Sequence, residues 1–183
     1  MEKKVKGSLF KLMVKAVRAN KSGIYDTLLS DEAKRITEQR ILDSIWYPYE
    51  VYRNIHDAVV KVDGKNNPKI LVEWGKRFGE ALMTSIYKNT MVDRDIEILL
   101  DKYQRFHPLV FNWGEFKAKL TSDNQIKIIY ENFQKDWQDV YYIAIGWVLR
   151  FMELCIGKKI EYKIIKKSWE GDDSTEFILF WSS

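Results

Sequence analysis

Residues 134–181 form the most strongly patterned stretch of the sequence. Apolar residues first follow the 3.6-residue period of a helix for about five turns, and Gly157 is placed to end that helix in a left-handed conformation. Segment 160–164 then alternates between apolar and charged residues, segment 177–181 is apolar throughout, and Glu170-Gly171-Asp172-Asp173 forms a turn between them. The stretch therefore predicts one long amphipathic helix followed by a β-hairpin. Because the second strand is apolar on both faces, we expect it at the centre of a sheet.

A second hairpin is predicted before the long helix. Segments 109–113 and 115–120 have an extended pattern, Thr121-Ser122-Asp123-Asn124 is typical of a turn, and segment 125–133 alternates again. Hairpins that are separate from grouped helices are typical of the α+β class. The predicted fold is thus a group of helices against a small antiparallel sheet of about four strands, with two hairpins separated by a long helix.

Several helices are predicted in the first hundred residues. One covers residues 8–20, and later ones begin near Ser30, Pro48, Pro68 and Asp93, which are residue types favoured at helix starts. The Pro68 helix contains Gly75 and Gly79, which lie on one face although each glycine costs a helix about 1 kcal/mol relative to alanine. The pattern favours a close crossing with another helix of the same chain. A dimer seam or the wall of a ligand cavity is the alternative.

Length and charge limit the function classes. The chain has 183 residues, which is typical of a single domain covering residues 1–183, and a formal net charge of +4 without a basic block. We therefore expect no nucleic-acid partner. No run of 18 apolar residues occurs and the N-terminus lacks an uncharged apolar segment, so we predict no membrane span and no signal peptide. The single cysteine, Cys155, fits a reducing cytoplasm and is expected to be a small buried apolar residue.

Motifs that carry chemistry are missing from the sequence. It contains no phosphate-binding loop, no dinucleotide-binding glycine pattern and no serine-hydrolase elbow. Two histidines and one cysteine do not make a zinc site. The acidic pairs, such as Asp172 with Asp173, lie in predicted turns or helix caps, where carboxylates bond to the backbone. We therefore predict that the protein is not an enzyme and has no catalytic residues, metal or cofactor.

A surplus of aromatic residues is the remaining functional signal. Trp74 and Phe78 share a face of the Pro68 helix, and Gly146 interrupts the long C-terminal helix beside Trp147, with Tyr142 one turn earlier. Aromatic residues at helical spacing are usually core, but large aromatic groups next to glycines also line apolar cavities. We predict these five residues as a ligand-binding site.

The C-terminal unit resembles a known superfamily. A long helix that holds Gly146 and ends in Leu154-Cys155-Ile156-Gly157-Lys158-Lys159, then a strand, then Glu170-Gly171-Asp172-Asp173 and a strand from Glu176-Phe177, is similar to the closing segment of 4-vinyl reductase small-molecule-binding domains. That superfamily includes haem nitric-oxide-binding domains and the TRAPP-complex subunits of Golgi transport. Val5-Lys6-Gly7-Ser8-Leu9-Phe10, Trp46-Tyr47-Pro48 and Asn67-Pro68 also look like an uncharacterised bacterial branch that was first noticed in myxobacteria.

The sequence also departs from these relatives. Cysteines typically flank the Gly-Asp-Asp turn in the 4-vinyl reductase pattern, whereas Lys167 and Thr175 occupy those positions here. The Tyr-x-Ser-x-Arg signature that holds the haem propionates in nitric-oxide sensors does not occur in the sequence. The resemblance therefore implies the fold without a cofactor.

Three functions follow from the sequence. The first is a non-enzymatic sensor or adaptor domain of the cytoplasm, homodimeric, that binds a small apolar ligand in an aromatic-lined cavity. The second is a protein interaction module without a ligand, similar to the transport-complex subunits. The third is haem binding through His56 or His107.

Overall fold

The computed structural model describes residues 2–85 and 95–182, except the side chains of Leu82 and Ser85. Contacts divide the chain into two compact units, residues 1–66 with 108–113 and residues 67–107 with 114–183. We call them the first and the second unit. That the whole chain behaves as a single domain stays a prediction.

The first unit is mainly helical. It contains β1 (Lys4–Lys6), α1 (Gly7–Ala19), α2 (Asp31–Glu38), β2 (Trp46–Pro48) and α3 (Tyr49–Val62), with a 3₁₀ turn at Ile24–Thr27. Ser30 caps α2 as predicted, because its side chain accepts a hydrogen bond from the backbone N–H of Ala33 at 3.2 Å. The strands β1 and β2 pair antiparallel, with Val5 opposite Tyr47. The two strands were not predicted, because three residues are too few to show an alternating pattern.

The second unit combines helices with the main sheet. It contains α4 (Pro68–Ser85), α5 (Ile96–Gln104), β3 (Glu115–Ser122), β4 (Gln125–Glu131), α7 (Gln138–Ile156), β5 (Glu161–Lys166) and β6 (Thr175–Phe180), and the short helix α6 (His107–Val110) precedes β3 in the chain. The sheet is antiparallel in the order β3-β4-β6-β5. Alternate residues of its strands are buried, which places the core on one face of the sheet: Phe116, Ala118, Ile126, Ile128, Tyr130, Phe177 and Leu179.

The predicted α+β architecture is confirmed. Two hairpins, β3–β4 and β5–β6, are separated by the long helix α7, and β6 lies between β4 and β5 inside the sheet. Gly157 ends α7 with φ of 74°, the left-handed conformation that was predicted for it. In the part of the chain that the structure describes, no helix is long and apolar enough to cross a membrane.

Segment 109–113 was predicted as an extended strand, and this is wrong: residues 109–110 are helical and residues 112–113 form a bend. Leu109 and Val110 belong to α6, and Phe111 makes only an isolated antiparallel bridge with Val5. Proline suits the first turn of a helix, so Pro108 favours a helical start that the apolar run after it conceals.

Two further predicted helix starts, at Asp93 and Pro48, lie close in the sequence to the starts of α5 and α3. Asp93 lies outside the described residues, and Asp95 caps α5 by accepting hydrogen bonds from the N–H groups of Glu97 and Ile98 at 2.9 and 3.3 Å. Pro48 precedes α3 instead of opening it, because it still belongs to β2.

Candidate ligand-binding site

The helices α4 and α7 cross at direct backbone contact. A Cβ atom added to Gly75 would lie 1.9 Å from the carbonyl oxygen of Ile143, and one added to Gly146 would lie 1.9 Å from the carbonyl oxygen of Val72. Such distances leave no room for a side chain on either glycine. The intramolecular helix crossing that the sequence favoured for Gly75 and Gly79 therefore accounts for Gly75, and Gly146 lies on the other side of that crossing.

Trp147 lies at one end of this crossing, over Gly79. The position of a Cβ atom on Gly79 is 3.0 Å from Cδ1 of Trp147, so the indole packs where the glycine leaves space. Phe106 approaches the same indole in a T-shaped arrangement, with ring centroids 6.0 Å apart. The third glycine of the crossing region thus makes room for a predicted site residue.

The indole nitrogen of Trp147 has an unusual environment. The side chain is half-buried, but its Nε1 is fully buried and donates to no hydrogen-bond acceptor among the described residues. Leaving a buried N–H without an acceptor costs about 1–3 kcal/mol. Buried donors are nearly always satisfied in folded proteins, so a donor without a protein acceptor indicates a bound water, a bound ligand or a functional role.

The other predicted site residues are distributed around the same two helices. Trp74 and Phe78 are half-buried on α4, and Gly146 lies inside the crossing. Tyr142 instead packs against Trp169 with ring centroids 5.8 Å apart, and Trp169 stacks on Tyr141 at 5.4 Å. The structure thus brings Trp147 together with Gly79 and Phe106 and places Tyr142 beside Trp169. Whether Trp74, Phe78, Tyr142, Gly146 and Trp147 bind a ligand stays a prediction.

Phe106 and Trp169 are the residues that sequence reasoning left out of the site. Phe106 is 41 positions before Trp147 in the chain, and Trp169 is 27 positions after Tyr142. Helical periodicity relates residues three or four positions apart, so it gives no signal for such contacts.

Ion pairs join α4 and α7 beside the crossing. Lys76 contacts Glu153 at 3.1 Å, and Arg150 contacts Glu80 at 2.7 Å and Glu153 at 3.5 Å. A hydrogen bond from Arg150 lowers the pKa of Glu80, so this carboxyl is ionised at neutral pH. Ion pairs therefore hold α4 and α7 together in addition to the backbone crossing.

Cys155, near the end of α7, is half-buried and unpaired. Burial raises the pKa of its thiol to about 11, so the reactive thiolate is scarce at neutral pH. This environment favours the predicted structural role over a nucleophilic one. No group of three or more histidine, cysteine or acidic side chains among the described residues is placed to hold a metal ion.

Comparison with solved structures identifies the architecture. A variant of the T. tengcongensis H-NOX protein superposes with a TM-score of 0.66 at 14% identity, covering 97% of this chain and 98% of that one. The oxygen complex of an H-NOX domain related to soluble guanylate cyclases gives 0.64 at 14% identity, covering 97% and 95%. An Fe(II) unliganded H-NOX variant from K. algicida gives 0.63 at 15%, covering 97% of each chain.

The chain has the H-NOX fold. The resemblance to haem nitric-oxide-binding domains is thereby confirmed at the level of the fold. The resemblance to 4-vinyl reductase domains, to TRAPP subunits and to the myxobacterial branch stays a prediction. No protein-family model and no curated protein matches the sequence.

Haem distortion is described for the H-NOX family, and the two histidines of this chain are the iron ligands that the sequence suggested. His56, on α3, is 0% exposed. Its Nδ1 lies 3.2 Å from a carboxylate oxygen of Asp57, and its ring packs against Tyr52 with centroids 5.9 Å apart. The imidazole is therefore enclosed by protein atoms and has no exposed surface for an iron.

His107, at the start of α6, is enclosed in a similar way. It is 8% exposed, and its ring meets Phe133 and Tyr130 edge-on at 5.3 and 6.0 Å. A metal bonded to an imidazole nitrogen needs a free position about 2 Å away, with the porphyrin plane around it. Neither histidine of this H-NOX fold therefore fits a haem iron.

Proposed function

We propose that the protein is a non-enzymatic small-molecule-binding domain, acting as a sensor or adaptor, and that its ligand binds beside Trp147. The observation that carries this proposal is the buried Nε1–H of Trp147, which has no acceptor among the described residues. A ligand that accepts this hydrogen bond removes an energetic cost of about 1–3 kcal/mol from the protein. The H-NOX fold supports the proposal, because its solved relatives include an oxygen-binding domain.

The surroundings of Trp147 define the chemistry of the ligand. The indole and the ring of Phe106 form an aromatic corner, and Trp74 and Phe78 add half-buried aromatic surface on α4. An apolar molecule with one hydrogen-bond acceptor, such as a carbonyl or ether oxygen, matches one donor among aromatic rings. Gly146 allows α4 and α7 to approach closely. Tyr142, also on α7, is the remaining residue of the proposed ligand-binding site.

Haem is not the proposed ligand. Both histidines are enclosed by protein atoms, and the Trp147 region offers an N–H donor instead of an iron ligand.

The homodimer that the sequence predicted stays a prediction. Gly75 and Gly146 no longer support it, because the backbone of the other helix of the same chain occupies the space beside each glycine. Sedimentation velocity across a range of protein concentrations tests it, and a monomer at all concentrations would contradict it.

Native mass spectrometry tests the proposed function. Protein purified from its host is expected to carry a non-covalent mass of a few hundred daltons that disappears under denaturing conditions. The variant Trp147→Phe, which lacks the N–H donor, is expected to lose most of this occupancy. Trp181→Phe is the matched control, because it removes an indole N–H from a buried tryptophan of the same unit outside the proposed site, and it should retain the ligand.

Two results would contradict the proposal. One is wild-type protein without any bound molecule after purification from its host and after incubation with an extract of host metabolites. The other is equal occupancy in the wild type and the Trp147→Phe variant, because the donor would then play no part in binding.

A further inference from the structure

A groove of about 450 Å³ lies in the first unit, far along the chain from the aromatic residues of the candidate site. One wall is α1, which contributes Lys11, Lys15 and Arg18 at spacings of three and four residues. The other wall is the segment from the end of α2 to the turn before β2. The volume of the groove falls in the range of about 300–1,000 Å³ that is typical of small-molecule sites.

The walls of the groove carry an excess of positive charge. Four cations line it, Lys11, Lys15, Arg18 and Arg40, against the two acids Glu38 and Asp43. Asp43 is already paired with Lys11 at 3.1 Å. Three cations therefore remain against the single carboxylate of Glu38, which makes the groove attractive to an anion.

Arg18 is held in place by the protein itself. Its Nε donates to the carbonyl oxygen of Thr37 at 2.6 Å, and its Nη2 donates to that of Gln39 at 2.5 Å. A guanidinium has five N–H groups, so about three remain for a ligand. Because the side chain is already ordered, an anion that binds here pays little of the entropy that an unfixed arginine would lose.

The floor of the groove is apolar. Val14 and Ile41 line it and are almost fully buried, at 1% and 6% exposure. Cationic walls above an apolar floor match a small organic molecule that carries acidic groups at its edge.

From this geometry we propose that the groove binds a small anion with at least two acidic groups, either phosphates or carboxylates. The guanidinium of Arg18, which is held in position by the backbone, donates its remaining N–H groups to the anion. Lys15 and Arg40 contact the anion from opposite walls. This site is separate from the proposed ligand of Trp147, so either can fail without the other.

Isothermal titration calorimetry at low ionic strength tests the groove, with sodium pyrophosphate and sodium citrate as probes. The wild type is expected to bind at least one probe with a dissociation constant of about 1 mM or lower. The double variant Lys15→Gln with Arg40→Gln should weaken binding about tenfold or more. The double variant Lys21→Gln with Lys61→Gln removes the same charge outside the groove and should bind like the wild type. Thermal melting of all variants verifies that they are folded.

The outcomes separate the two acid classes. Binding of pyrophosphate alone assigns the groove to phosphates, binding of citrate alone assigns it to carboxylates, and binding of both supports a general dianion site. The proposal is overturned if neither probe binds the wild type. It is also overturned if the control double variant loses as much affinity as the groove variant, since attraction by the overall charge would then explain the binding.

Discussion

Gly75 and Gly146 meet where α4 crosses α7, and the Cα atom of Gly75 lies 3.0 Å from the position that a Cβ atom of Gly146 would take. The contact is between backbones, so no change of rotamer can relieve a side chain placed there. Gly146→Ala would put a methyl group 1.9 Å from the carbonyl oxygen of Val72. We expect this variant to lose about 2–3 kcal/mol of unfolding free energy, although alanine favours the helix by about 1 kcal/mol. Urea denaturation measures the loss.

Gly79→Ala provides a graded comparison on the same helix. Its nearest neighbours are atoms of Trp147 at 3.0–3.3 Å, so smaller shifts relieve the contact. The expected loss is about 1 kcal/mol. A Gly146→Ala variant that is as stable as the wild type would contradict the close crossing.

Glu176 makes the stability of the second unit depend on acid pH. It is nearly buried on β6, where Lys127 and Lys166 contact it at 2.5 and 3.1 Å. Burial alone would raise the pKa of Glu176, but hydrogen bonds from the two lysines outweigh it and lower the pKa. The resulting stabilisation is fully present above the unfolded-state pKa of about 4.3 and is lost as the pH falls through the folded-state pKa.

Glu176→Gln should therefore cost about 1 kcal/mol at pH 7 and less below pH 4 or so. Chemical denaturation at a series of pH values measures the difference from the wild type. Glu161→Gln, on β5 of the same sheet, has no ion pair among the described residues and serves as the control. An unchanged difference across this pH range would show that the carboxylate charge of Glu176 contributes nothing.

Cys155 should react slowly with thiol reagents. Burial raises the pKa of its thiol to about 11, whereas an unfolded cysteine has a pKa of about 8.5. At pH 7.5 the native protein is expected to react with Ellman's reagent about tenfold or more slowly than the urea-unfolded protein. Equal rates would mean that the thiol is neither desolvated nor shielded at the end of α7.

Addition of haem to the purified protein should give the spectrum of free haem. His56 and His107 are 0% and 8% exposed, so both rings are buried. Absorption titration through the Soret region is the measurement. A sharp, shifted Soret band that disappears in His56→Ala or His107→Ala would refute the conclusion that neither histidine fits an iron.

Local periodicity predicted most of the fold. The spacing of apolar residues defined α7, and alternation defined β4 and β5, because both patterns lie within a single element. The same patterns missed β1 and β2, which are three residues long. The helical Leu109 and Val110 were also missed, since an apolar pair fits a strand and a helix equally well.

The candidate site was only partly accessible from the sequence. Trp147 and Gly146 were predicted as site residues because a glycine interrupts a strongly apolar helix pattern. The partner ring of Phe106 and the isolation of the indole N–H depend on contacts between distant segments, which no local pattern records. Likewise, Tyr142 shares its helix with Trp147 but packs beside Trp169.

Replacement of Trp147 by 3-benzothienylalanine tests the central claim most directly, because this analogue keeps the ring size and has sulfur in place of the N–H group. The measurement is the unfolding free energy of protein that has been stripped of ligand by unfolding and refolding. If the buried Nε1–H has no acceptor in the protein, its removal should leave the unfolding free energy unchanged or raise it by about 1 kcal/mol. A loss of about 1 kcal/mol or more would show that the protein itself satisfies this donor, and it would contradict a ligand site at Trp147.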